Sequence, residues 1–157
     1  MSERIEIGPY DYSDHFFKRA ALLVSMGKDR TPNVMALQWK TIGELWMIPV
    51  ITAAVAPSRY SFSLLTEGIR EFTINIPSDQ NANAINITGT SSGRNTDKFK
   101  KAGLELIDGT KTTVPTIKNC DLNYECKIVH QAESGSMASH HLFFGEILAA
   151  FASKRLL

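Results

Sequence analysis

Apolar residues along this chain recur mainly in short runs or in alternation, the two patterns that sheets leave in a sequence. Ala20 to Met26 is an apolar run. Gly27-Lys28-Asp29-Arg30-Thr31-Pro32 reads as a hairpin turn, and Asn33 to Trp39 returns as the partner strand. Val50 to Val55 predicts a further strand closed by Pro57, and Glu71 to Ile76 alternates until Pro77 stops it. Leu122, Tyr124, Cys126 and Ile128 alternate with Asn123, Glu125, Lys127 and Val129, the signature of a half-buried strand. His141 to Phe151 is a longer, mostly apolar strand in which Gly145 marks a bulge or barrel bend.

Helical signals are fewer and shorter. Ser58 is placed to cap a helix over Arg59 to Glu67, with Tyr60, Leu64 and Leu65 on one face and Gly68 ending it. Asp79 to Ile87 is a second helix of weaker periodicity. A third opens at Thr96, whose hydroxyl caps it, and closes at Gly103 in a left-handed turn. Neither a repeat nor a linker-like tract divides residues 1–157, so the pattern predicts one domain. Its class is mainly β: a small closed barrel with short peripheral helices.

Composition narrows the partners rather than the fold. The 157 residues are 43% hydrophobic, enough to bury a core and to exclude disorder. With 17 basic and 16 acidic side chains the net charge is +1, which argues against nucleic-acid or membrane-surface binding. The longest apolar stretch, Trp46 to Ala56, is too short for a bilayer and Pro49 interrupts it. The opening Met-Ser-Glu-Arg-Ile-Glu lacks the basic and apolar regions of a signal peptide, so the expectation is a cytoplasmic protein. Cys120 and Cys126 form no C-x-x-C pair. Although His130, His140 and His141 follow, a cysteine on an alternating strand ordinarily packs in the core, and no metal is expected.

The candidate chemistry starts at Ser91-Ser92-Gly93-Arg94-Asn95-Thr96-Asp97-Lys98. Small hydroxyls and a flexible glycine precede a helix start, and Arg94 and Lys98 add full positive charges beside it. The segment reads as a phosphate clamp and equally as a solvated basic helix start. It is neither a Walker loop nor a G-x-G-x-x-G turn. Ser58 and Arg59, at the start of the first helix, make a second candidate anion corner, and sequence does not rank the two.

Six segments in chain order then resemble the flavin reductase-like family of FMN-binding split barrels. They are Asn33-Val34-Met35-Ala36-Leu37-Gln38-Trp39, Ala56-Pro57-Ser58-Arg59-Tyr60-Ser61, Glu71-Phe72-Thr73-Ile74-Asn75-Ile76-Pro77, the Ser92-Gly93-Arg94…Lys98-Phe99 clamp, Glu125-Cys126-Lys127, and His140 to Ile147. The similarity is greatest to the branch of archaeal ferric reductases and NAD(P)H:flavin oxidoreductases.

The resemblance implies a split β-barrel homodimer that binds FMN and takes hydride from NAD(P)H. The acceptor would be free flavin, a ferric chelate, oxygen or a partner oxygenase. The alternatives are a non-enzymatic FMN carrier or store, and a barrel without a cofactor. Under the resemblance, Asn33, Met35, Ala36, Leu37 and Gln38 edge the flavin ring. Ser58, Arg59 and Tyr60, or Ser92, Gly93, Arg94 and Lys98, hold the phosphate. Asn75 recognises the pyrimidine or ribityl part, and His140 faces the pocket and orients the nicotinamide or balances charge on reduced flavin. His141 alternates to the other face, and Trp39 is assigned a structural role. The chain departs from the family at Trp46-Met47-Ile48-Pro49, where paired prolines are usual, and this change is expected at the pocket rim.

Overall fold

The structure is a computed structural model that describes residues 4–90, 92–93 and 97–157. In chain order its elements are β1 (Arg4–Ile7), α1 (Ser13–Phe16), β2 (Ala21–Met26), β3 (Pro32–Leu37), β4 (Lys40–Leu45) and β5 (Ile48–Val55). There follow α2 (Tyr60–Glu67), β6 (Glu71–Pro77), α3 (Ala84–Thr90), α4 (Lys98–Ala102), β7 (Leu106–Ile107), β8 (Thr116–Ile117), β9 (Cys120–Glu133) and β10 (His141–Ser153).

The main sheet is antiparallel throughout, in the order β3-β2-β6-β9-β10-β5-β4. Its first and last strands, β3 and β4, are consecutive in the chain and joined through Gln38 and Trp39, so the covalent backbone itself closes the barrel. β10 pairs along its length with β9, and its other edge is shared. His141 to Glu146 pair with β5, whereas Ala150 to Ser153 pair with β1.

Two apolar layers explain the sequence pattern. Leu23, Met35, Leu37, Ile51, Phe72, Ile74, Tyr124 and Phe143 fill the barrel. Leu22, Val24, Val34, Val114 and Ile117 fill a second layer outside β2 and β3, covered by α3, α4 and the 104–118 segment. β2 is therefore buried on both faces, which is why it reads as a run and not an alternation. The first half of β9 is also buried on both faces and is not the half-buried strand its alternation predicts, because residues 110–117 cover Asn123 and Glu125 and bond to them.

Gly145 sits at a register shift of β10, as its position in the apolar run predicts. A Cβ there would lie 2.5 Å from Phe72 Cζ and 2.8 Å from Cys126 Cβ, so the barrel interior requires the missing side chain. Two helix starts differ from expectation. α2 begins at Tyr60 with Arg59 in the N-cap position and without a side-chain cap bond, so Ser58 is not the cap. α4 is capped by the Asp97 carboxylate, which accepts from the Lys100 amide. Thr96, the expected cap, lies outside the described residues, and Gly103 ends the helix at φ 67° as predicted. The second helix begins at Ala84 and not at Asp79. Among the described residues, no helix is long and apolar enough to cross a membrane.

Candidate functional site

β3 is an end strand of the sheet order, so one of its edges is free of strand pairing among the described residues. Two cavities lie in succession along that strand and together outline a groove. Near its start a cavity of about 630 Å³ is bounded by Pro32, Asn33, Tyr60, Gly93, Lys98 and Leu106. Near its end a shallower cavity of about 210 Å³ is bounded by Met35 to Trp39, Ala54, Ala56, Arg59 and His140. A free strand edge offers backbone donors and acceptors in a fixed row, suited to a flat polar ring edge.

Lys98 and Arg59, drawn from the two anion corners left unranked by sequence, lie near enough for their charges to interact. Lys98, on α4, is 3% exposed and donates to the Thr88 carbonyl at 3.0 Å. Burial, reinforced by the positive charge of Arg59 at the start of α2, pulls its ammonium down to about 8. Among the described residues no carboxylate forms an ion pair with Lys98, so an anion placed beside it would relieve its charge. Gly93 closes the corner. A Cβ on it would fall 1.9 Å from Asn33 Oδ1 and 2.9 Å from Tyr60 Cδ2. The Asn33 side chain cannot swing aside freely, because its Nδ2 donates to Ser61 Oγ at 3.0 Å. Gly93→Ala is therefore expected to displace Asn33 and weaken anion binding at this corner about tenfold, measured by titration with FMN.

At the ring end, alternation divides the predicted residues. Met35 and Leu37 are 4% and 1% exposed and belong to the barrel core, so only their backbone is available to a ligand. Ala36 and Gln38 point the other way, and Ala36, Ala54 and Ala56 leave a low floor. His140 borders this cavity, and its Nδ1 is buried without a hydrogen-bond partner among the described residues. His141 instead sets its ring against Phe62 at 5.0 Å, the opposite orientation that alternation predicts.

Three expectations need correction. Asn75 is fully buried. Its Nδ2 donates to the Leu22 carbonyl and Thr73 Oγ1, and its Oδ1 accepts from the Ile117 amide and Asn123 Nδ2. That amide ties β2, β8 and β9 together and has nothing left for a ligand. Trp39 is not a core residue: it is 57% exposed and borders the ring-end cavity, with its ring 4.7 Å from that of His140. Trp46 and Met47 form the β4–β5 turn, both at positive φ (57° and 64°), and neither borders the groove. Trp46 lies against His130 and Phe144 instead. Of the remaining predicted residues, Ser58 is exposed just before Arg59, Ser92 is half-buried before Gly93, and Arg94 lies outside the described residues.

A third cavity, about 530 Å³, lies between β1, β7 and β10 and meets the groove only at Leu106. There Arg4 stacks on the Phe151 ring at 4.0 Å and donates to Asn123 Oδ1 at 2.8 Å. No group of three or more His, Cys, Asp or Glu suited to a metal ion occurs among the described residues.

Comparison with known proteins agrees with this layout. The flavin reductase like domain matches residues 14–156. An uncharacterised protein of Archaeoglobus fulgidus is 34% identical over 136 residues, covering 86% of this chain and 73% of its own length. Another, from Pyrococcus abyssi, is 34% identical over 128 residues, covering 81% and 70%. Among solved structures, the flavoredoxin of Desulfovibrio vulgaris (Miyazaki F) superposes with a TM-score of 0.76 at 28% identity, covering 88% of this chain and 72% of that one. The FMN-binding domain of a flavin reductases-like enzyme from Shewanella baltica shares the fold, with a TM-score of 0.80 at 19% identity, covering 98% and 79%. A match over residues 14–156, nearly the whole chain, means that the chain belongs to the flavin reductase-like family of FMN-binding split barrels.

Proposed function

We propose that the groove holds FMN, with its phosphate at the Arg59–Lys98 corner and its ring along the free edge of β3, and that the protein is an NAD(P)H-dependent oxidoreductase. The observation that carries this reading is the buried Lys98, held by a backbone carbonyl and its pKa depressed by burial and by the charge of Arg59, at one end of β3, with a second cavity floored by Ala36, Ala54 and Ala56 at the other. The residues present fit the cofactor: two cations for a phosphate, a strand edge for the pyrimidine, and an orphan imidazole nitrogen at the ring end.

When bound, FMN supplies the chemistry, accepting hydride from a reduced nicotinamide and releasing electrons to free flavin, a ferric chelate, oxygen or a partner oxygenase. The chain supplies position and field. Asn33, Tyr60 and Gly93 shape the phosphate end with Arg59 and Lys98. The backbone of Met35 to Gln38 offers hydrogen bonds to the ring edge, where negative charge gathers on reduction. His140 completes the ring end with a nitrogen that hydrogen-bonds the ring or the incoming nicotinamide.

We also infer a homodimer. The outer face of β4, β5 and β10 carries Leu45, Phe144, Leu142 and Leu148, and Trp46 at 56% exposure stands beside it, an apolar surface that a second copy would cover. Two free, buried cysteines fit a reducing cytoplasm.

The test is anaerobic addition of NADH and then NADPH to FMN-loaded protein, following visible absorption. Bleaching is expected with at least one nucleotide, about tenfold slower in His140→Ala, with FMN affinity retained. The likeness to flavoredoxins from Desulfovibrio vulgaris and Methanosarcina acetivorans favours a second reading, an FMN electron carrier. A yellow protein that neither nucleotide reduces, but that exchanges electrons with a chemical reductant, supports that reading instead.

A further inference from the structure

We propose that the cavity between β1, β7 and β10 is a second ligand site, for a small, flat organic monoanion such as an aromatic carboxylate. It is separate from the groove along β3 and stands whether or not that groove holds FMN. The sheet makes its floor. Cross-strand register sets Glu6 opposite Phe151 and Phe151 opposite Asn123, with Arg4 opposite Ser153. Alternation turns all five side chains to one face of β1, β10 and β9, and all five border the cavity. Such a face at a sheet margin is ordinarily left to water. Here β7, held by its pairing with β8, adds an apolar wall of Leu106 and Ile107, and a space of about 530 Å³ is enclosed beside it. That volume is large against the voids of a packed interior and falls within the range that takes small ligands.

The floor carries a fixed cation. Arg4 Cζ lies 4.0 Å from the centroid of the Phe151 ring, and Nη1 donates to Asn123 Oδ1 at 2.8 Å and to Thr116 Oγ1 at 3.0 Å. Both acceptors are buried, and Asn123 Nδ2 is spent on Asn75 Oδ1 and the Ile117 carbonyl, so the guanidinium is held in one plane. Burial lowers its pKa, the sign of a charge kept from water, which a nearby anion stabilises. A second cation stands at the rim. Ser153 Oγ accepts from the Arg155 amide at 3.2 Å and caps the single 3-10 turn Lys154–Leu156, which brings Arg155 to the cavity. The Arg155 side chain is 47% exposed. It donates to the Asn119 carbonyl at 3.3 Å and lies 3.6 Å from Asp121, whose other oxygen His15 engages at 2.8 Å. Lys118 also borders the cavity but is engaged by Glu105 at 3.4 Å. Arg4, Lys118 and Arg155 against Glu6 and Glu105 leave the border with one net positive charge. A flat apolar body therefore fits beside Ile107 and the Arg4–Phe151 stack, with its carboxylate on the fork of Arg155. A second negative charge would meet Glu6 or Glu105, which limits the class to monoanions.

The probe is 2-naphthoate, with the neutral 2-naphthamide as its control. Each is titrated into FMN-loaded protein carrying ¹³C-labelled Ile and Leu methyl groups. Ile107 borders this cavity and not the groove, whereas Leu104 borders the groove and not this cavity. 2-Naphthoate should shift the Ile107 methyl signals with saturation, at a dissociation constant of about 1 mM or below, and leave those of Leu104 in place. 2-Naphthamide should bind about tenfold more weakly. Arg155→Gln should erase that margin, and Arg155→Lys, which keeps the charge, should restore part of it. Because the Arg155 side chain is half exposed, both variants should keep the melting temperature of the unaltered protein.

Three outcomes overturn the proposal. Saturation at Leu104 without a shift at Ile107 puts the probe in the groove. Equal binding of the acid and the amide by the unaltered protein makes the cavity an apolar void with no anion site. The absence of a saturable shift at either residue removes the site altogether. Failure of the FMN reading looks different, because the protein would then not load with flavin, and the same titration of the flavin-free chain would still report on Ile107.

Discussion

Replacing Lys98 with methionine should make the flavin-free protein more stable while raising the dissociation constant for FMN by roughly 10- to 100-fold. Both effects come from one observation. The Lys98 ammonium is buried beside Arg59, and its pKa falls from 10.5 to about 8. Below about 8 the folded protein carries a charge it holds less favourably than the unfolded chain does, a cost on the order of 3 kcal/mol before relaxation. Methionine fills similar space without the charge. It forfeits the bond to the Thr88 carbonyl, so a net gain of about 1–2 kcal/mol is expected at pH 7.

The sign with pH follows from the depressed value. Between about 8 and 10.5 the unfolded state binds more protons at this site, so the stability of the unaltered apo-protein rises with pH across that window. The methionine variant should lack that rise. FMN affinity should move the other way. Above about 8 the lysine of the free protein is neutral, so holding it charged against a phosphate requires proton uptake, and affinity falls by up to about tenfold per pH unit. A charge-assisted contact to an anion is worth ~1.5–3 kcal/mol, the origin of the 10- to 100-fold loss. Thermal melts of the apo-protein and FMN titrations, each from pH 7 to 10, check both halves. If the variant melts below the unaltered protein and binds FMN equally well, Lys98 is a structural residue and the anion corner lies elsewhere.

What the sequence made legible follows the strength of burial. β2, β3, β5, β6, β9 and β10 line the barrel, so their apolar positions are dense and their ends are marked by Pro77 or by the Gly27–Pro32 turn. β4 escaped because Lys40-Thr-Ile-Gly-Glu-Leu45 is a half-exposed end strand with a central glycine. Its turn is also disguised. Two successive residues at positive φ normally announce themselves as Asn-Gly, and here they are Trp46 and Met47. The pair looked like part of an apolar run, and from there like a pocket rim.

At the site, sequence order separated what the fold unites. Ser58-Arg59 and the clamp segment read as rival corners because nothing in one dimension shows that Gly93 lies against Tyr60, the first residue of α2. Asn75 failed for a related reason. A polar residue at a strand end suggests a ligand, but the 112–117 segment folds over β6 and consumes every hydrogen bond that amide can make. Trp39 shows the converse, since an apolar residue type gave no hint that its ring would stay outside.

Glu125 is the second residue whose loss should be large, and it lies outside the groove. Its carboxylate, fully buried on β9, accepts from the Thr110 amide at 3.0 Å, the Lys111 amide at 2.6 Å and the Thr110 hydroxyl at 3.2 Å. Glu71 Oε1 accepts from two further amides, Thr113 at 2.8 Å and Val114 at 3.2 Å. These two carboxylates pin a loop that has little other regular structure. That loop leads into β8, and β8 pairs with β7, whose Leu106 borders the phosphate end of the groove. Glu125→Ala removes a buried acceptor of several bonds and leaves a cavity, an expected cost of about 3 kcal/mol, or roughly 6–12 °C in melting temperature for a chain of this size. Glu125→Gln keeps the shape but turns an NH₂ toward backbone donors, so it should recover only about a third of the loss. Because the loop supports the site through β8 and Leu106 of β7, added FMN should raise the melting temperature of Glu125→Ala by less than it raises that of the unaltered protein. Hydrogen exchange should show the loss of protection concentrated in residues 106–117 and not in the barrel strands. A glutamine variant as stable as the parent would mean that shape alone, and not the charge of Glu125, holds the loop in place.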